Sequence, residues 1–253
     1  HAAEHVQWAE RSFAMMQFLL GSEASAMRAQ RVQWALYLRT KEQQRQLLLV
    51  APNTAAGYSP EDAMRTGGLV FRTDGGHAAM HVCYRASDDA DSIVAHVVRH
   101  PLDGNLNQPL YEGVMHAVQW LLCGTMKARY SNLAVTESSG GFELPEDTTT
   151  WRSLLQDVIE QDDDHAFLQV PGEPMANFRD EVRLKTWAAM LFLVARAPDG
   201  WRAFATAMAD PKLLREQVED KLIETIGLTA EEFEEEFHAW ARRGSPLGRA
   251  SGW

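Results

Sequence analysis

From Ala2 to Leu20, apolar residues recur at three- and four-residue steps: Val6, Ala9, Phe13, Met16 and Leu20. That is the period of an amphipathic helix, and Gly21-Ser22 marks its end. Arg31 to Arg39 alternates instead, with Val32, Trp34, Leu36 and Leu38 on one face, which predicts a strand. A polar stretch and a short apolar run, Leu47 to Val50, follow. Ser59-Pro60-Glu61 has a cap residue, then Pro, then an acid, and so predicts a helix start. Leu69 to Thr73 and His77 to Arg85 flank Asp74-Gly75-Gly76, a pattern that predicts a hairpin.

Beyond Asp89 the period changes to helical. Helices are predicted over Asp89 to His100, Pro109 to Cys123 and Thr148 to Gln161. Gly124 to Asp147 reads as irregular, and Asp162-Asp163-Asp164 as a polar linker. Asn177 to Arg243 reads as helices broken at Pro198-Asp199-Gly200, Asp210-Pro211 and Gly227. Thr229 and Glu232 have capping-box spacing. Strands first and helices afterwards predict an α+β fold: a small N-terminal mixed sheet with helices, then an all-helical C-terminal lobe. The expected division is 1–125 for the first lobe, 126–244 for the helical lobe and 245–253 for a tail rich in Gly and Ser.

Composition narrows the functional classes. The 253 residues carry 35 acids against 24 bases, a formal net charge of -11. Nucleic-acid binding needs clustered Lys and Arg and is not expected. No apolar stretch reaches the roughly 18 to 20 residues of a membrane span, and no signal peptide is legible. Cys83 and Cys123 are too few for a disulfide scaffold or a four-cysteine zinc site, and either one bridge or two buried thiols fits them. No Gly-rich phosphate loop, G-x-S-x-G elbow or dinucleotide fingerprint is present.

The stretch DSIVAHVVRHPLDGNLNQPLYEGVMHAVQWLL, from Asp91 to Leu122, carries the candidate chemistry. His96 and His100 are four apart on a predicted helix, which puts them about 5 to 6 Å apart at Cβ. One helix can in this way offer two nitrogens to a zinc ion. Glu112, on the next predicted helix, can fold back as a third ligand. Two His and one Glu with water in fourth place is a catalytic zinc set.

These residues resemble the zinc-site segment of the gluzincin metallopeptidases, and most closely bacterial gluzincin-like domains. The family pattern is H-E-x-x-H, a connector, and a helix opening with a motif like W-x-x-E-G-x-A-E. His96 and His100 match the two histidines, and Leu110-Tyr111-Glu112-Gly113 matches the third-ligand segment. The order of helix, strands and zinc helix is also similar, as are Thr186-Trp187-Ala188 and the ending from Ile226-Gly227-Leu228-Thr229 to Trp240. The resemblance implies zincin-like active-site helices and a zinc ion on His96, His100 and Glu112. It also leans towards an exported protein.

The departures decide what the resemblance implies about activity. The family's catalytic Glu, next to the first His, is Val97 here. Valine can neither accept nor pass on a proton, and general base catalysis contributes about 100- to 10,000-fold. No Tyr lies between Asn177 and Arg196, where the family's helical lobe often supplies one, and Arg183 sits near that place. The connector from His100 to Glu112 is short, and His116 stands where many relatives carry a second acid. The expectation is therefore a catalytically inactive, metallopeptidase-like module with no catalytic residue, holding a protein or peptide partner in the former cleft. The strand His77 to Arg85 is the expected edge for an extended peptide. The alternative is an active zinc peptidase or hydrolase with a non-standard general base.

Other features read more simply. His1/His5 and His77/His81 repeat the H-x-x-x-H spacing, but on a strand four residues span about 13 Å, too far for one metal. Asp162, Asp163, Asp164 and His165 read as a solvated loop rather than a second metal site. The acids from Glu231 to Glu236 read as the exposed face of the last helix, and Trp120, Trp187 and Trp240 as core. Cys123 and His116, seven apart, leave a cysteine nucleophile conceivable but without other support.

Overall fold

The computed structural model describes residues 2–21, 32–38, 40–50, 68–73, 76–82, 89–102, 108–125, 144, 150–161, 166–168, 180–208 and 215–243. In chain order the elements are α1 (Ala2–Leu20), β1 (Val32–Leu38), α2 (Lys41–Val50), β2 (Gly68–Thr73), β3 (Gly76–Val82), α3 (Asp89–Leu102) and α4 (Gln108–Cys123). Then come α5 (Trp151–Glu160), α6 (Asp180–Arg196), α7 (Pro198–Ala207), α8 (Arg215–Ile226) and α9 (Ala230–Arg242).

Helix α2 is not among the elements that the sequence pattern predicts. Its start signal is local: Thr40 Oγ1 accepts from Gln43 N–H at 3.1 Å, and Thr40 N–H donates back to Gln43 Oε1 at 3.2 Å. This is a reciprocal capping box with Gln in third place. The box on α9 forms as its spacing predicts, with Thr229 N–H donating to Glu232 Oε2 at 2.8 Å. That donor also holds the Glu232 carboxyl below its ordinary range.

The packed body corrects the α+β expectation. The part of the chain whose side chains are described is 88% helical and contains no strand. One apolar cluster runs from Met15 on α1 through α3, α4, α5 and α6 to Ala241 on α9. At its centre lie α4 and α6, packed against each other. Every side chain from Glu112 to Trp120 is buried, and so is every one from Val182 to Leu193. A helix buried around its whole circumference lies inside a core, and the residues described in this core are on helices and the loops between them. Alternation along 31–39 reports a local period of two; it does not say what the strand packs against.

The backbone of 32–38, 68–73 and 76–82 pairs in the order β1-β3-β2. β1 runs parallel to β3, with Leu36 opposite Met80, and β2 runs antiparallel to it, with Thr73 opposite Gly76. Thus His77 to Val82 lies between two neighbours, and its backbone is used on both sides. This removes the expected peptide-binding edge over His77 to Val82, because strand addition needs unpaired N–H and C=O groups, while 83–85 lie outside the described residues.

Aromatic rings fill the core in two groups. Trp187 meets Trp120 and Trp151 edge-to-face, at 5.9 and 5.4 Å between centroids. Phe233 stacks on Phe167 at 4.4 Å and meets Phe192 edge-on at 5.4 Å. Trp120, Trp187 and Trp240 are all buried, as expected of core residues. The α4–α6 contact is close enough to require glycine. A Cβ on Gly113 would stand 2.7 Å from Thr186 Cγ2 and 3.1 Å from the Thr186 carbonyl oxygen.

Among the described residues no helix is long and apolar enough to cross a membrane.

Candidate functional site

The helix pair α3–α4 is the place where the sequence puts its metal ligands. The two helices pack together, with α1 against both. α3 buries Asp91, Ile93, Val94, Ala95 and Val98, and Val97 is partly buried. Asp91 accepts from Thr125 Oγ1 at 3.2 Å, which ties the start of α3 to the end of α4. His96 and His100 lie one helical turn apart on α3, and their side chains lie outside the described residues.

Glu112 is described in full. It is on the first turns of α4, with 0% of its surface exposed. The polar stripe that it begins continues along the helix at Glu112, His116 and Gln119, all at 0% exposure. These positions are four and then three apart, so they share one face. His116 Nε2 lies 3.5 Å from Glu112 Oε2. The other ring nitrogen, Nδ1, lies 3.0 Å from Gln119 Oε1. Trp151 of α5 meets the imidazole edge-on at 6.0 Å. Val114, Met115, Ala117 and Val118, interleaved with this stripe on α4, are buried as well.

The sequence singles out His116 only as a departure from the family pattern and as a neighbour of Cys123. The structure couples it to Glu112. The signal was present as a polar i, i+4, i+7 stripe in a helix that is otherwise apolar, and that stripe stands out only once the helix is known to be buried all round.

Among the described residues no group of three His, Cys, Asp or Glu side chains is assembled. Glu112 and His116 are residue types that suit zinc, and α3, which carries His96 and His100, packs against α4.

The remaining candidates separate. Arg183 is buried and pairs with Asp180 at 3.1 Å, while Asp180 Oδ2 accepts from Leu144 N–H at 2.7 Å. Arg183 is thus engaged at the N-terminus of α6. Burial, then the charge of Asp91, pushes the Cys123 thiol up to about 12, so it is a neutral thiol at neutral pH and a poor nucleophile. His77 and His81 lie on β3, a spacing that cannot share one metal. Asp162, Asp163, Asp164, His165 and Cys83 lie outside the described residues. On α9, Glu231, Glu232, Glu235 and Glu236 are exposed as expected, but Glu234 is partly buried.

Comparison with known proteins found no match: no family profile, no curated protein and no solved structure is similar to this chain.

Proposed function

We infer that this chain is a gluzincin-like domain without peptidase activity, a binding or structural module that keeps a zinc ion on His96, His100 and Glu112. The observation that carries this reading is the complete burial of Glu112 on the helix packed against the H-x-x-x-H helix. Removing a carboxylate from water costs several kcal/mol unless positive charge and hydrogen bonds compensate it. A divalent cation held jointly with two imidazoles supplies that compensation.

Val97 supports the loss of peptidase chemistry. It is a partly buried aliphatic side chain in the position where the family that the segment resembles carries its proton acceptor. A zinc-bound water there has no carboxylate to take its proton. The partner of such a module is a protein or peptide, held in the former cleft.

Elemental mass spectrometry of the untagged protein and of His96→Ala, beside a casein hydrolysis assay, tests the reading. The expected result is near-stoichiometric zinc in the parent, little in the variant, and no hydrolysis in either. Hydrolysis by the parent that disappears in His96→Ala would refute the loss of activity. Absence of zinc from the parent would refute the retained ion.

A further inference from the structure

We draw no further inference here: the strongest candidate, the fully buried polar stripe of Glu112, His116 and Gln119 on α4, belongs to the candidate site already described.

Discussion

Two of the acid–base pairs among the described residues, Lys185–Glu234 and His116–Glu112, are built differently. Lys185 on α6 reaches Glu234 on α9 at 2.5 Å and lies over the Phe237 ring at 4.2 Å from its centroid. Glu234 also accepts from Phe167 N–H at 2.6 Å and has His238 at 3.6 Å. The lysine is 1% exposed and the carboxylate 25%. This pair joins two helices and a loop, keeps one foot in water and has a short contact. Glu112 and His116 lie four apart on a single helix, both fully enclosed, with a long contact. Their contact joins no two elements, and α4 would be helical without it. A pair that crosses elements at short range serves the fold. The Glu112–His116 pair lies within one helix, and its imidazole meets Trp151 of α5 edge-on at 6.0 Å.

The largest expected effect is on the first pair. Lys185→Ala removes the cation and leaves Glu234 without its main counter-charge, a loss of about 3 to 5 kcal/mol, measurable as a lower urea midpoint. A change below about 1 kcal/mol would break the comparison.

The second pair should behave in the opposite sense in the absence of metal. Glu112→Met with His116→Leu replaces two buried polar groups by apolar ones of similar size. Such swaps are often neutral or stabilising by about 1 to 4 kcal/mol. In EDTA the double variant should therefore unfold at equal or higher urea than the parent. If it unfolds much earlier, the pair is structural after all.

Gly113→Ala tests the close approach that sets α4 against α6. In an exposed helix this change stabilises by up to about 1 kcal/mol. Here the added methyl meets Thr186, and overpacking should cost about 1 to 3 kcal/mol. Thermal unfolding reads the sign.

Two smaller effects sharpen the picture at the periphery. Thr229→Ala removes the cap of α9 and should cost about 1 kcal/mol, read by chemical denaturation. Cys123 tests the neutral interior at the end of α4. Its thiol is raised from the ordinary 9.0 to about 12, so the folded protein holds the proton more tightly than the unfolded chain. The stability that this contributes is complete below pH 9 and is lost as pH rises towards 12. In a Cys83→Ser background at pH 8.5, iodoacetamide should label the native protein more than about a hundredfold slower than the urea-unfolded chain. Equal rates would show an open, ionised thiol.

Much of the helical part was legible residue by residue. The span of α1, the Thr229–Glu232 box and the inward Phe233, Phe237 and Trp240 follow from local spacing, whereas Val6, expected on the apolar face, is 60% exposed. Helix α2 was missed because its apolar residues, Leu47 to Val50, cluster at one end and conceal the period. At the candidate site, the sequence singles out Glu112 by its place after the histidines, and the structure buries it. His116 was not legible, because a histidine on an apolar helix has no meaning until its surroundings are known. Glu234 was read with its acidic neighbours as solvated, since only Lys185 on a distant helix makes it otherwise.

Periodicity, caps and breaks are properties of a few adjacent residues, so the sequence by itself determined the capping box of α9 and the spans of most helices, α2 excepted. It also determined that Val97 brings no carboxylate to the turn between the two histidines. Which helices become central was decided by tertiary packing alone. So were the close approach of Gly113 to Thr186, the coupling of Lys185 to Glu234, and the enclosure of Glu112, His116 and Gln119. Each of these depends on groups that are far apart in the chain or on the exclusion of water by the whole body, and neither is encoded in any local pattern.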